Sequence, residues 1–342
     1  MRQVLVGSWN QRGVLALLLW PVSIIFGALT ALRRGLYRVG ILKIERVGVP
    51  VVVVGNVVAG GAGKTPVVIA LVNHLRTRGL KAGVVSRGYG RKGLDCREVI
   101  EGSLASDVGD EPILIKQKTG VPVYVAAARI EAARALLSRH TDVDILVCDD
   151  GLQHYGMHRD IEICVFDERG IGNGFLLPAG PLREPWRRRT DLVLSSAKSR
   201  PAKGFAMRRA LATRASRADG QLIALENLRD ANKRLGTQLF AVAGIARPEA
   251  FFDMLRAVGL PLACTRALPD HADFEGTEWP AAENHILLCT EKDAMKLWHW
   301  RPDALAVPLL LQLEPAFWEA FDKLVNAATG AKLSSSDGHT TS

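Results

Sequence analysis

The sequence contains no pair of closely spaced cysteines. Its five cysteines are scattered without any C-x-x-C spacing, and four of them lie within apolar or β-branched runs. These residues are Cys96, Cys148, Cys164, Cys264 and Cys289. Zinc sites and disulfide frameworks need cysteines at characteristic spacings, so neither is indicated, and buried reduced thiols in a reducing compartment account for the cysteines.

The sequence also contains no internal repeat and no stretch that interleaves aromatic with basic residues. Its formal net charge of +9 favours an anionic partner, such as nucleic acid, a phospholipid surface or a phosphorylated substrate. Because no nucleic-acid recognition motif accompanies the charge, we expect no nucleic-acid partner, and nothing indicates an obligate protein partner. The 342 residues, 48% of them hydrophobic, suffice for two globular domains.

Charged residues are missing from residues 14–32, VLALLLWPVSIIFGALTAL. As a helix this segment would be about 28 Å long, barely the thickness of a bilayer core. Arginines flank both ends, Trp9 and Trp20 can lie at headgroup level, and Pro21 interrupts the middle. No small-x-small cleavage site follows, which argues against a signal peptide, and a core helix hairpin is the other alternative. We expect residues 1–45 to lie in the membrane interface or dip into it rather than cross it.

Residues 51–65, VVVVGNVVAGGAGKT, pass from four valines into a glycine-rich turn that ends in Gly63, Lys64 and Thr65. The pattern predicts a buried strand, a phosphate-binding loop and a helix. Glycines let backbone N–H groups approach phosphate oxygens, Lys64 can reach the β and γ phosphates, and the Thr65 hydroxyl can bind Mg²⁺. The sequence therefore predicts binding of a nucleoside triphosphate, and we expect ATP with Mg²⁺.

The strict phosphate-loop pattern has a glycine at the position of Val58, so only the GGAGKT core matches it. The alternative is a flexible loop with a solvated lysine, but the strand before the loop and the helix after it favour nucleotide binding. Since ATP is cytosolic, we expect the site to face the cytoplasm. The residues predicted to hold the nucleotide are Val58, Ala59, Gly60, Gly61, Ala62, Gly63, Lys64 and Thr65.

Beyond the loop, strand patterns alternate with helical ones, which predicts a parallel α/β sheet flanked by helices, as in P-loop NTPases. The predicted elements are strands at 82–86, 122–126 and 144–148, with helices from Asp110 and at 130–140. A second, smaller α/β set has apolar segments at 238–244, 285–293 and 304–313 and a helix from Pro248. We predict a kinase core at 46–230, a smaller domain at 235–328 and a disordered tail at 331–342.

The strand predicted at 144–148 is followed by Asp149 and Asp150. An apolar strand that delivers acids beside a phosphate loop is typical of Mg²⁺ sites, although an acidic turn is the alternative. His154, four residues after Asp150, can orient the ligands of the metal, contact the substrate or have a purely structural role. Asp110 opens a helix, and its spacing alone favours a helix cap.

Two loops concentrate cations. Residues 86–92, SRGYGRK, leave a predicted strand end, and residues 176–189, LLPAGPLREPWRRR, combine proline and glycine with arginines and an indole. Each can be a solvated loop. Functionally, the first can meet phosphates and the second suits an anionic headgroup at a membrane.

Eight motifs occur in order along the chain: GNVVAGGAGKTP, SRGYGRK, VGDEP, DDGLQH, LPAGPLREP, AGIARPEAFF, PDHADF and TEKDAMK. Together they resemble the tetraacyldisaccharide 4′-kinases of lipid A synthesis, from the hydrophobic segment to about residue 325. The resemblance implies a kinase of the inner (cytoplasmic) membrane. Its reaction would move the γ-phosphate of ATP to the 4′ hydroxyl of an acylated glucosamine disaccharide 1-phosphate, forming the 4′-phosphate of lipid IVA.

The resemblance also implies residue roles. Lys64 and Thr65 would contact phosphates and Mg²⁺, and Asp149 and Asp150 would be the metal-side acids. The catalytic residues would be Asp110, His271 and Lys64, with Asp110 near the sugar hydroxyl and His271 paired with it across the domain cleft as a general base unit. The residues implied near phosphates or the headgroup are Arg129, His154, Arg183 and Glu184.

An alternative class is a membrane-docked P-loop ATPase switch of the partitioning or targeting type. Such loops carry a lysine just before the Gly-Gly pair, and Ala59 stands there in this chain. This chain therefore lacks the activating lysine that a partitioning or targeting ATPase would need. ATP turnover that depends on an amphiphilic disaccharide acceptor would separate the kinase from the switch.

Overall fold

The computed structural model describes residues 7–61, 63–186, 188, 190–196, 204–272, 274–277 and 285–336, the last six by backbone alone. Within these residues the helices are α1 (Val14–Arg38), α2 (Lys64–Thr77), α3 (Ala105–Val108), α4 (Asp110–Thr119), α5 (Arg129–Arg139), α6 (Leu225–Leu235), α7 (Pro248–Ala257), α8 (Glu291–Leu297) and α9 (Pro315–Ser336). The strands are β1 (Val51–Gly55), β2 (Ala82–Ser86), β3 (Arg97–Glu98), β4 (Val123–Val125), β5 (Ile145–Asp149), β6 (Ile161–Phe166), β7 (Leu192–Ser196), β8 (Phe205–Leu211), β9 (Arg214–Ser216), β10 (Leu222–Ala224), β11 (Gln238–Ala243), β12 (Leu262–Ala267), β13 (His285–Thr290), β14 (Leu305–Val307) and β15 (Leu309–Leu313).

Strand β1 lies in the middle of a nine-stranded sheet with the order β15-β8-β7-β6-β1-β5-β2-β4-β3 in the described chain. It pairs in parallel with β5 and β6. Its four valines are at most 1% exposed because a hydrophobic cluster covers each face of the sheet, which explains the unbroken valine run. Val54 pairs with Asp149, so the two parallel strands deliver the phosphate loop and the acids to one edge of the sheet.

The predicted α/β class with a parallel sheet is confirmed. The strand predicted at 82–86 coincides with β2, and β4 and β5 differ from their predicted bounds by one residue at each end. Long, strongly apolar segments flanked by turn residues were therefore placed well from pattern alone. Strands β6, β7 and β8 were not predicted, although they extend the same sheet.

A second sheet has the order β10-β9-β14-β13-β11-β12 among the described residues. The segment predicted as one element at 304–313 is divided between the two sheets. β14 pairs with β13 in the second sheet, whereas β15 pairs antiparallel with β8 in the first. Pro308 separates them, and because proline has no backbone N–H to donate to a ladder, the chain can leave one sheet and join the other there.

This division differs from the predicted domain boundaries. Residues 309–336 return to the first sheet instead of completing a unit at 235–328, and β9, β10 and α6 belong with the second sheet although they precede residue 235. The predicted tail begins within α9, which extends to Ser336, and residues 337–342 lie outside the described residues.

Helix α1 is, among the described residues, the one helix long and apolar enough to cross a membrane by length and composition. It continues through Pro21, and only 11% of its most apolar window is buried. It docks along one narrow side, where Ser23 Oγ donates to Leu176 O at 2.9 Å and accepts from Ala179 N at 3.0 Å. The remaining apolar face is exposed, so within the described residues α1 is not part of a buried core hairpin.

Candidate active site in the cleft between the sheets

Asn56 is fully buried directly after β1 and organises the phosphate loop. Its Nδ2 donates to the carbonyls of Val58 and Gly60 at 2.7 and 3.2 Å, and its Oδ1 lies 3.5 Å from Lys64 Nζ. Two loop carbonyls are thereby held by an amide inside the protein. Asn56 was absent from the predicted nucleotide residues, and the available signal was a polar side chain immediately following a buried strand.

The first two predicted loop residues, Val58 and Ala59, are tied to the 176–189 loop. Val58 is 2% exposed and forms a bridge with Leu182, and the Ala59 N–H donates to Pro181 O at 2.7 Å. This N–H is therefore already partnered within the chain, and the place of Ala59 among the nucleotide-binding residues stays a prediction. Val58 does not have a positive φ, which explains why glycine is not required there. Ala62 lies outside the described residues.

Gly63 caps α2 in the left-handed region, with φ +76°, and a Cβ added there would clash with Arg209 Nη2. We expect Gly63→Ala to lose about 1 to 2 kcal/mol of unfolding free energy to backbone strain and to displace Arg209 from the loop. Gly79→Ala is the matched control, because Gly79 has φ +77° with no atom within 4 Å of the added Cβ. Thermal melts should show both losses, whereas ATP titration should show weakened binding only for Gly63→Ala. Equal ATP affinity in the two variants would contradict the assignment of this turn.

Lys64, Asp149 and Asp150 meet at the edge of the sheet. Lys64 Nζ lies 3.5 Å from Asp150 Oδ1, and Arg183 Nη1 lies 3.7 Å from Asp150 Oδ2. Burial raises the pKa of Asp149, and the nearby charges of Glu111 and Asp150 raise it further. For Asp150 burial acts in the same direction, but the charges of Lys64 and Arg183 outweigh it and the pKa lies below its usual value. Asp150 is thus held as an anion beside the loop lysine.

Asp110 and His271 form a hydrogen-bonded pair although 161 positions separate them. His271 Nδ1 lies 3.0 Å from Asp110 Oδ2 and 3.2 Å from Oδ1. Asp110 begins α4 under the first sheet, is 3% exposed and also accepts from the backbone N–H of Glu111 at 2.9 Å. Gly109 is the cap residue of α4 and Asp110 is its first helical residue, so the helix cap expected from spacing is wrong, whereas the contact with His271 implied by the family resemblance is present.

The His271 ring is surrounded by polar and aromatic neighbours. Lys292 Nζ lies 3.3 Å from its Nε2, and the Tyr89 ring lies against it with centroids 4.8 Å apart. Lys296 Nζ lies 3.2 Å from Asp110 Oδ2 and donates to the His271 carbonyl at 3.1 Å. His271 has φ +65°, a conformation that costs energy in a non-glycine residue and that clusters at functional sites. Sequence reasoning assigned no role to either lysine.

Three of the four residues implied near phosphates or the headgroup, Arg129, His154 and Arg183, lie close to Asp150. Arg129 is 3% exposed and donates to the carbonyl of Asp150 at 3.0 Å, while its Nε and Nη1 are buried and have no hydrogen-bond partner among the described residues. Burial, with help from Arg129, lowers the pKa of His154 to about 4, so this imidazole is neutral at physiological pH. Arg183 contacts Asp150, as described above.

Glu184 differs from the other three. It is 2% exposed, and its carboxylate accepts from Gln153 Nε2 and Tyr155 OH at 2.9 Å each and from Arg188 Nη1 at 3.1 Å. Arg34 of α1 lies 3.9 Å away. These contacts give Glu184 a positioning role that links α1 to the site, and its predicted contact with substrate stays a prediction.

A cavity of about 450 Å³ lies between the sheets beside these residues. Its lining includes the phosphate loop, the start of α4 and the start of α8, together with apolar side chains of both sheets. Representative lining residues are Gly63, Lys64, Thr65, Glu111, Phe251 and Lys292. A phosphate chain seated on the loop would therefore share this space with Glu111, Asp270 and Lys292, the immediate neighbours of Asp110 and His271.

Comparison with known proteins agrees with this geometry. The family profile described as LpxK, tetraacyldisaccharide-1-P 4′-kinase, matches residues 15–326. The chain is 56% identical over 336 residues to a tetraacyldisaccharide 4′-kinase of Acidovorax sp. (strain JS42), covering 97% of this chain and 96% of that one. It is 53% identical over 349 residues to that of Polaromonas naphthalenivorans (strain CJ2), covering 100% of both.

A solved structure is also similar. The crystal structure of LpxK from Aquifex aeolicus in complex with ATP is 27% identical in sequence and superposes with a TM-score of 0.78. The match covers 91% of this chain and 100% of that one, so the overall fold is shared over most of the chain.

Proposed function

The chain belongs to the tetraacyldisaccharide-1-P 4′-kinase family, and we propose that the cleft between its two sheets is the place of phosphoryl transfer. It is an ATP-dependent lipid kinase that phosphorylates the 4′ hydroxyl of a tetraacylated glucosamine disaccharide 1-phosphate in lipid A biosynthesis. The observation that carries the proposal is the hydrogen bond between Asp110 of the first sheet's layer and His271 of the second, beside the cavity that Lys64 and Thr65 line.

Phosphoryl transfer needs positioning and charge neutralisation more than covalent help from the protein. Lys64 and the N-terminus of α2 stabilise negative charge on the β and γ phosphates. The 4′ oxygen attacks the γ-phosphorus in line, the bond from that phosphorus to the β-γ bridging oxygen breaks, and ADP leaves. The hydroxyl proton must then pass to a base.

We assign that base to His271 Nε2, oriented by Asp110. Burial alone would raise the pKa of Asp110, but the hydrogen bond with His271 and the charges of Lys292 and Lys296 outweigh it and hold the pKa well below its usual range. A carboxylate with so low a pKa is a weak base. The imidazole takes the proton at Nε2 while Nδ1–H donates to Asp110, as in other carboxylate-oriented histidines. Asp110, the acid that the family resemblance implies near the sugar hydroxyl, thus acts through His271.

The metal-side residues fit Mg²⁺. Asp149 Oδ1 is buried and accepts no hydrogen bond within the described chain, and Asp150 and Thr65 add further oxygen ligands. Oxygen donors are what Mg²⁺ prefers. The described residues contain no group of three or more His, Cys, Asp or Glu suited to a metal. Bound there, Mg²⁺ would neutralise charge on the transferring phosphate.

We further propose that α1 seats the enzyme on the cytoplasmic face of the inner membrane, where its lipid substrate resides. The exposed apolar face of α1 and the cations that follow it suit a lipid interface. Arg183 and Arg129 supply charge for phosphates of the substrate, and neutral His154 supplies hydrogen bonds only.

The membrane role predicts a specific loss of binding. Leu18 and Ile25 on α1 are 70% and 62% exposed, and replacing both with glutamate should weaken binding to anionic liposomes roughly 100-fold, since each buried side chain contributes at least about 1.5 kcal/mol. Glutamates at Leu222 and Leu235, which are 59% and 71% exposed near the second sheet, are the matched control. Liposome flotation measures the difference, and equal flotation of the two double variants would place the anchor elsewhere.

The kinase assignment is tested by acceptor dependence. ADP release by the purified protein should rise steeply when an acylated glucosamine disaccharide 1-phosphate is added to ATP and Mg²⁺. A nucleotide-switched ATPase would instead hydrolyse ATP without the acceptor and respond to a protein or membrane partner. Unchanged ADP release on addition of the acceptor would reject the kinase assignment.

A further inference from the structure

Lys292 contacts three groups at the same distance. Its Nζ lies 3.3 Å from Glu111 Oε1, from Asp270 Oδ1 and from His271 Nε2. Charge-assisted hydrogen bonds are usually about 2.7 to 2.9 Å long, so none of the three contacts is tight. The ammonium is surrounded by partners but is fixed by no single one.

The location of Lys292 in its helix is unfavourable for a cation. It is the second residue of α8, after the Thr290 cap and Glu291, in the first turn where the helix dipole favours negative charge. Residues that depart from a local preference, as a cation in the first turn of a helix does, are expected mainly at functional or strained sites. Lys292 also lines the same cavity as Lys64 and Thr65, so its compact charge on a flexible stem faces the space for the phosphate chain.

An ammonium can only donate hydrogen bonds. The contact with Lys292 therefore makes His271 Nε2 the acceptor, which leaves the ring proton on Nδ1, facing Asp110. It also occupies the lone pair that would take the proton of the sugar hydroxyl. The remaining neighbours, Asp110, Asp270, Lys296 and Tyr89, do not occupy that lone pair as hydrogen-bond donors.

We propose that Lys292 is a positioning residue that moves its ammonium from His271 Nε2 to the γ-phosphate of ATP, so that the base is released only when the phosphoryl donor is in place. This inference rests on the proposed role of the Asp110 and His271 pair. The polyanionic phosphate competes with three loose contacts for one cation. The exchange would couple binding of one substrate to activation of the base for the other.

The test uses the full-length protein with ¹⁵N-labelled histidine. The Nε2 resonance of His271, assigned with His271→Ala, is recorded with and without the β,γ-methylene analogue of ATP and Mg²⁺. In the unsubstituted protein the analogue should shift this resonance to the position it has in Lys292→Met. In Lys292→Met the analogue should leave it unchanged and should bind roughly tenfold or more weakly, as expected on loss of a phosphate-binding cation. The control Lys118→Met removes a cavity-lining cation paired with Glu291 and should keep the normal response.

Two results would overturn the exchange: an Nε2 resonance that the analogue does not move in the unsubstituted protein, or the same movement in Lys292→Met. The comparison of the unsubstituted protein with and without the analogue needs no substitution, so it tests the proposal even if a variant folds poorly. Either result together with an inactive His271→Ala would reject the role of Lys292 alone. Normal turnover by His271→Ala would instead reject the base pair itself.

Discussion

Replacing Lys64 with alanine is expected to lower kcat by roughly 10² to 10⁴ while the protein remains folded, because one phosphate-cradling cation is lost from the transition state. Lys64 Nζ contacts Asn56 and Asp150 at 3.5 Å each, so few strong interactions of the folded chain depend on it. Steady-state kinetics with a thermal melt of the same sample separates the two effects. Lys81→Ala is the control, because this lysine is 64% exposed and pairs with Asp142 on the surface.

A Lys64→Ala variant with normal kcat and normal stability would remove the phosphate loop from the mechanism. Loss of kcat in Lys81→Ala to the same degree would point to a general effect of net charge instead. A normal Lys64→Ala variant would also contradict the prediction that residues 51–65 form a phosphate-binding loop.

The second large effect concerns Asp110 and His271. Asp110→Ala and His271→Ala should each lower kcat by roughly 10² or more with little change in the KM for ATP, because a general base acts in the transition state. The double variant should be little slower than the slower single variant, since residues that act as a unit are non-additive. Asp110→Ala should also melt earlier, because it removes a buried carboxylate that accepts from Glu111 N at 2.9 Å and pairs with His271 and Lys296.

The chain offers a matched control in a second imidazole and carboxylate pair. His74 Nε2 lies 2.8 Å from Asp322 Oδ1, where α2 meets α9. His74→Ala should change the melting temperature and leave kcat nearly unaltered. Rate losses that multiply in the double variant of Asp110 and His271 would show two independent residues and contradict a shared proton path.

Features whose place in the fold leaves a local sequence pattern could be predicted from the sequence. Residues 51–65 predicted the strand, loop and helix because buried parallel strands, glycine turns and helix starts each leave a local signature. Asp149 and Asp150 followed from the strand that delivers them. Nothing local could indicate His271, which lies in an irregular loop, and only its resemblance to a family motif assigned it a partner.

The failures have physical causes as well. Residues 304–313 are apolar on both sides of Pro308, yet β14 before it and β15 after it belong to different sheets. Tertiary contacts decide which strands pair, and local composition does not encode them. Asn56 was missed because a single polar residue after a strand is common in turns. Lys292 was missed because residues 285–293 were predicted as one apolar segment, so the start of α8 at Glu291 was not anticipated.

The measurement that tests the central claim most directly is tandem mass spectrometry of the lipid after incubation with the protein, Mg²⁺ and ATP labelled with ¹⁸O in the γ-phosphate. A mass gain of one labelled phosphate, located on the 4′ position of the acylated disaccharide 1-phosphate and absent with Lys64→Ala, is the predicted result. An unmodified lipid, or a phosphate placed on a different hydroxyl, would contradict the account.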